Sequence, residues 1–384
     1  MKAAVFYGTK DFRVEDIEIP KMEPTDVLIR VKACGICGSD VHTYKTGIMG
    51  RPGFVMGHEI AGEVAEVGKK VKGIKAGDRV IPIVVQPNET VKGCGECFWC
   101  LRGQRQWCPS IAHKPCGECE YCKSGRFWMC DRIQRHMLIG YGKNGGYAEY
   151  VLVPDAVLDV NVFKIPDSLS YEEAAVIEPL WGGYRWVMMA EPQPHETGVV
   201  TGSGAIGLSV MQMLRQYVAQ VIVSEVSPKR LQLAKELGAA IAIDATKEDP
   251  VQKIIELTGT GRSFSGKGGG CADIVMECSG VPAVLRQAIE MTRSGGRIVM
   301  VGIFEEEVSL NINHIIHKQL RLISSFSKGQ QPTSREVLTA IKLLADGKVK
   351  AKPLISHVFP LDKIMEAFEV QTKPDQSIKV IIKP

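Results

Sequence analysis

The 384-residue sequence contains no apolar run of about 18 residues, so nothing in it reads as a membrane span. A charge excess of one sign is also missing. Lys and Arg number 47 against 43 Asp and Glu, a formal +4, which argues against binding nucleic acid or a membrane surface by bulk charge. Aromatics are sparse at 7%, but 45% hydrophobic and 23% charged residues are globular proportions and exclude disorder as the main theme. The opening Met-Lys-Ala-Ala-Val-Phe-Tyr-Gly meets Lys10, Asp11 and Arg13 without the apolar core of a secretion signal, and the expectation is a cytoplasmic protein. Cysteine is scarce over most of the chain: beyond Cys130 only Cys271 and Cys278 occur, whereas ten of the twelve fall between Cys34 and Cys130. Clustered thiols without a secretion signal point to metal rather than to disulfides.

The length predicts two domains. Residues 1–90 read as short strands separated by turns, among them 27–31, 63–67 and 79–83. From 92 to 136 neither a helix nor a strand period persists, and cysteine and glycine dominate. Beyond 180, strands at 199–201, 221–224, 241–243, 273–276, 298–301 and 320–323 alternate with helices at 205–217, 228–237, 249–258 and 281–292. Ser227 and Pro228 open the second of these helices and Gly238 stops it. Such alternation predicts an α/β fold with a parallel sheet covered on both faces. The tail carries helices at 335–345 and near 361–371 and ends in an apolar strand at 379–382.

One repeat stands out. Cys94, Cys97, Cys100 and Cys108 recur with identical spacing as Cys116, Cys119, Cys122 and Cys130, shifted by 22 residues. Four thiolates at this spacing suit a closed structural zinc site.

Gly202-Ser203-Gly204-Ala205-Ile206-Gly207 follows a strand and opens a helix, the context of a dinucleotide-binding turn whose helix N-terminus faces a pyrophosphate. Glu225 ends the next strand, where a carboxylate accepts bonds from the adenosine ribose and repels a 2′-phosphate, so NAD is expected over NADP. Lys229 and Arg230 follow closely, and Arg230 is placed with the cofactor-binding residues. A further cluster, Cys37-Gly-Ser39-Asp40-Val-His42 and Gly57-His58-Glu59, brings a thiolate and an imidazole from separate segments. That pair suits zinc, and a third protein ligand would leave one position open to substrate.

The segment Gly57-His58-Glu59-x-x-Gly62-x5-Gly68-x-x-Val71 resembles the signature of the zinc-dependent medium-chain dehydrogenases, the alcohol, sorbitol and threonine dehydrogenase superfamily. Gly-Asp-Arg-Val at 77–80, the cysteine spacing, Gly146-Tyr147-Ala148-Glu149-Tyr150 and the glycine turn extend the likeness over nearly the whole chain. The resemblance implies a mainly β GroES-like catalytic domain (1–179, with a zinc lobe at 92–136), a doubly wound Rossmann coenzyme domain (180–325) and a return to the first domain (326–384). It implies catalytic zinc ligands Cys37 and His58 with a third at Glu178, and Glu59 exchanging at the metal. Asp40 would orient the ligand histidine, and Ser39 and His42 would relay the alcohol proton. Cys34 reads as a packed thiol, and His113, His136, His195, His314, His317 and His357 as structural or surface residues. The implied activity is reversible, NAD-linked oxidation of a secondary alcohol or polyol to a ketone, in a homodimer or homotetramer. Sorbitol-type enzymes tend to carry Arg-Tyr where Ser327-Lys328 follows Ser325-Phe326 here. His42-x-Tyr44 is similar to the threonine type, and Tyr44, Phe54 and Trp181 are candidates for the pocket wall.

Two other readings of the cysteine lobe differ in class. Cys-x-x-Cys-x-x-Cys with Cys108-Pro109 is also iron–sulfur spacing. A zinc ribbon on nucleic acid is the other, with eight Lys and Arg against four Asp and Glu over 92–136. The family needs one structural zinc on this loop, whereas two complete sets are present. The expected stoichiometry is therefore three zincs per chain, one catalytic and two structural. Metal analysis of protein purified under reducing conditions checks this: a ratio near two would mean one empty or oxidised set, and iron would favour the electron-transfer reading.

Overall fold

The structure is a computed structural model that describes residues 1–48, 50, 52–83, 96, 101, 123, 139–141, 143–264, 266, 268–324 and 334–384. Both cysteine sets, His113, His136 and Ser325–Lys328 lie outside the described residues. Two compact units emerge. The first comprises the described residues within Met1–Glu178, Lys328–Ala345 and Ile355–Pro384, and the second those within Pro179–Ser327 and Asp346–Leu354. Residues 346–354 thus cluster with the second unit, although the tail was expected to return to the first.

The first unit begins with β1 (Lys2–Gly8) and β2 (Asp11–Asp16), followed by β3 (Val27–Gly35), α1 (Gly38–Thr46), β4 (Phe54–Val55), β5 (Glu59–Val67) and β6 (Arg79–Pro82). Next come β7 (Tyr150–Val153), β8 (Val162–Lys164) and α2 (Tyr171–Ala175); α3 (Ile177–Met189) leads into the second unit. There β9 (Thr197–Thr201), α4 (Ala205–Leu214), β10 (Gln220–Glu225), α5 (Pro228–Glu236), β11 (Ile241–Asp244) and α6 (Pro250–Thr258) alternate. The pattern continues with β12 (Ala272–Glu277), α7 (Pro282–Met291), β13 (Thr292–Met300), α8 (Ile312–His317) and β14 (Arg321–Ser324). The chain closes with α9 (Ser334–Ala345), β15 (Ile355–Pro360), α10 (Ile364–Gln371) and β16 (Lys379–Lys383).

In the first unit, β2-β1-β4 form a small sheet and β15-β16-β3-β5-β6-β8 a larger one, with β7 also paired to β3. β3 and β5 run antiparallel with Gly35 opposite Glu59, and on the other side of β3 the last strand places Ile381 opposite Gly35. The core joins β1, β3 and β5 to α10 through Phe6, Phe12, Tyr44, Tyr147 and Phe368. Tyr44 is fully buried in this cluster and donates to Glu369 Oε1 at 2.6 Å, so it is a core residue and not a pocket wall.

The second unit holds the parallel sheet β11-β10-β9-β12-β13-β14. Its central strands β9, β10 and β12 are buried on both faces, which explains their near-continuous apolar sequence. Strand order reverses beside β9, and the loop leaving β9 at such a switch point is where open α/β sheets bind ligands. That loop is the glycine turn. Gly202 adopts φ +83°, and a Cβ at Gly207 would stand 1.8 Å from the Gly202 carbonyl oxygen. Gly207→Ala is therefore expected to cost about 1–3 kcal/mol through overpacking, a fall of several degrees in the melting temperature of coenzyme-free protein. Unchanged melting by calorimetry would show that the turn opens without strain.

Candidate metal centre and coenzyme loop

Within the first unit, β3 delivers the chain to Cys37, which caps α1 as its backbone N–H donates to Asp40 Oδ2 at 3.1 Å. Helix α1 carries little apolar periodicity, and its ends are set by this cap and by Gly47 at φ +73°. The strand entrance of β5 supplies His58 and Glu59 immediately after Gly57, whose φ of +93° turns the backbone. One donor atom from each of Cys37, His58 and Glu59 lies within 4.8 Å of the others.

Their surroundings are charged and dry. His58 Nδ1 stands 3.4 Å from Asp40 Oδ1, both side chains buried. Asp40 also accepts from the Tyr147 hydroxyl at 2.8 Å. Burial opposes charge on both partners. Even so, Asp40 and Cys37 hold the imidazole well above its usual range, and His58 with the bonds from Tyr147 and Cys37 holds the Asp40 carboxyl below its own. Glu59 is fully buried and accepts two bonds from Lys379 Nζ, at 2.6 and 2.7 Å. Burial pulls the Lys379 ammonium down, and Glu59 overrides it and carries it above its ordinary value. On the remaining side Tyr141 Oη lies 2.6 Å from Ser39 Oγ and 3.3 Å from His58 Nε2, and burial pushes its phenol well up.

Thiolate, imidazole and carboxylate are the zinc donor set, and the negative field that raises His58 equally favours a dication. The residues present fit zinc. Of the two carboxylates expected at the metal, Glu59 joins Cys37 and His58 within 4.8 Å; Glu178 is not in that group, although its charge is felt at Tyr141 and Lys379. Ser39 and His42 share α1, and the Ser39 hydroxyl is hydrogen-bonded to Tyr141 Oη. Cys34 is a fully buried core thiol. His195 is exposed, His314 Nδ1 meets Glu290 at 2.6 Å, His317 lies beside the Phe264 ring and His357 beside Phe359. Tyr141 and Lys379 carry no motif signal. A lysine that opens a terminal apolar strand reads as a solvated residue, and only the sheet order buries it.

In the second unit Gly204 caps α4 and Gly207 meets the turn. A Cβ at Gly204 would have only Arg230 Nη1 near it, at 3.7 Å, so this glycine leaves open space beside a cation at the helix N-terminus. Glu225 ends β10, nearly buried, and its carboxylate accepts bonds from Ser203 N, Ser203 Oγ, Val226 N and Ser227 N.

Residues 205–346 match the zinc-binding dehydrogenase family, and residues 23–114 and 109–167 match the alcohol dehydrogenase GroES-like domain. The second match comes in two pieces that meet between the two cysteine sets. Sorbitol dehydrogenase from Bacillus subtilis is 32% identical, covering 100% of this chain and 97% of that protein. L-threonine 3-dehydrogenase from Pyrococcus furiosus is 33% identical over 96% of this chain and 94% of its own. The crystal structure of 2R,3R-butanediol dehydrogenase from Bacillus subtilis superposes with a TM-score of 0.77 at 30% identity, covering 100% and 99% of the two chains. This chain belongs to the zinc-dependent medium-chain dehydrogenase family, with its GroES-like and Rossmann domains. It is a zinc-dependent oxidoreductase of the alcohol dehydrogenase type that works with a nicotinamide coenzyme. The iron–sulfur reading of the cysteine lobe finds no support in these comparisons. Among the described residues no helix is long and apolar enough to cross a membrane.

Lys379→Met would leave the Glu59 carboxylate buried and uncompensated, at an expected cost of about 3–5 kcal/mol in zinc-free protein. Added zinc should recover part of that loss by supplying the missing positive charge. Urea denaturation with and without zinc checks both expectations, and wild-type stability of the zinc-free variant would contradict them.

Proposed function

We propose that this protein oxidises a secondary alcohol or polyol reversibly to the ketone with NAD, and that Cys37, His58 and Glu59 hold the catalytic zinc with Glu178 close by. The convergence of those three donors within 4.8 Å is the observation that carries the reading. When bound, zinc supplies the Lewis acidity that lowers the alcohol pKa, and NAD supplies the two-electron acceptor. Asp40 holds the His58 ring through Nδ1 and leaves Nε2 directed away from it. Ser39 accepts the alcohol proton, and its hydroxyl is oriented by Tyr141 Oη at 2.6 Å. His42, one turn along α1, passes the proton outward. Gly202, Gly204, Ala205, Ile206 and Gly207 receive the pyrophosphate at the start of α4, Glu225 the adenosine ribose, and Arg230 the adjacent negative charge.

The double cysteine repeat supports two structural zincs, Cys94, Cys97, Cys100 and Cys108 holding one and Cys116, Cys119, Cys122 and Cys130 the other. We place the enzyme in the cytoplasm as a homodimer or homotetramer, the latter on the family resemblance alone. Substrates named for the relatives, a polyol, a vicinal diol and a hydroxy amino acid, define the panel to be assayed by NADH absorbance.

Cys37→Ser and His58→Ala are expected to abolish turnover while NAD binding persists, because metal and dinucleotide use separate residues. Steady-state kinetics and coenzyme titration test this. Activity above about a tenth of wild type, a loss below ~1.4 kcal/mol, would remove zinc from its electrophilic role.

A further inference from the structure

We infer that the Ser203 hydroxyl is a placeholder for the coenzyme's adenosine 2′-hydroxyl on Glu225, and that it is a positioning residue which tunes coenzyme affinity. The inference rests on the reading of Glu225 as the ribose acceptor.

Ser203 lies between the first two glycines of the turn and is fully buried. Its N–H and Oγ both donate to Glu225 Oε2, at 2.6 and 3.0 Å, while Val226 N and Ser227 N donate to Oε1 at 2.8 and 3.0 Å. A carboxylate offers about four lone-pair positions, so all are taken. A ribose hydroxyl can be received only if one donor withdraws. Three of the four are backbone N–H groups held by the turn after β10 and by the glycine loop, where Gly202 N is itself bonded to Ser224 O at 2.8 Å. Only the Ser203 hydroxyl leaves by rotation about a single side-chain bond, with no backbone movement. Before coenzyme arrives it satisfies a nearly buried acceptor that would otherwise be costly to leave unpaired. When coenzyme binds it competes with the ligand for that position.

Removing the hydroxyl should therefore tighten binding. Isothermal titration of the zinc-loaded, full-length enzyme is expected to show Ser203→Ala binding NAD about three- to tenfold more tightly than wild type. The gain should vanish with the NAD analogue that carries 2′-deoxyadenosine, a readout that a merely structural role would not produce. Ser203→Cys keeps a similar size with a weak donor and should fall between the two. Unchanged or weaker NAD binding by both variants, with Glu225→Gln still weakening NAD and admitting NADP, would overturn the placeholder role and leave the Glu225 reading standing. If Glu225→Gln left both coenzymes' affinities unchanged, the Glu225 reading itself would fall, and the inference with it.

Discussion

Gly35 has no side chain, and the carboxylate of Glu59 lies in the space this leaves. A Cβ there would stand 2.0 Å from Glu59 Oε2. Because Gly35 is opposite Glu59 on one side and Ile381 on the other, Lys379, two residues back along β16, can span the gap and meet Glu59 with both oxygens engaged. The pair is buried, so neither charge is tolerable without the other. It joins the last strand of the chain to the strand that begins with Glu59, one of the three candidate metal donors. The geometry of the metal centre thus depends on residues more than 300 positions apart in sequence.

Around that pair the charges alternate: Lys379 against Glu59, and His58 between Asp40 and Cys37. Each buried charge has an opposite neighbour, which is the condition for keeping ionised groups in a dry interior. A dication entering among Cys37, His58 and Glu59 meets prearranged negative charge. Lys379 limits how much of the Glu59 charge is available to it.

The coenzyme loop applies the same rule with neutral donors. Glu225 is almost buried and carries no salt-bridge partner among those described; four hydrogen bonds satisfy it instead. The glycines admit the close backbone approach, and the serine between them supplies the one donor able to turn away. Serine in that position makes the loop's own side chain a competitor for the carboxylate.

Sequence by itself determined a good deal. Strand and helix alternation, the glycine turn at 202–207 and its acidic residue at 225 are local patterns, and each lies where local periodicity and turn chemistry place it. Cys37 and His58 were legible as a zinc-suited pair because they sit in short motifs, Glu59 joined them through the family resemblance, and the repeat of four cysteines is visible from spacing alone. What local pattern does not contain is which distant residue fills a given space. The resemblance offered both Glu178 and Glu59 to the metal, and it is the strand register between β3 and β5, with Glu59 opposite Gly35, that brings Glu59 within reach of Cys37. Tyr44 looked like a pocket residue until the stacking of Phe12 and Phe368 enclosed it. Lys379, Tyr141 and the Ser203–Glu225 bonds belong to the tertiary structure alone. Long-range burial and hydrogen-bond pairing are set by which strands become neighbours, and no window of sequence records that.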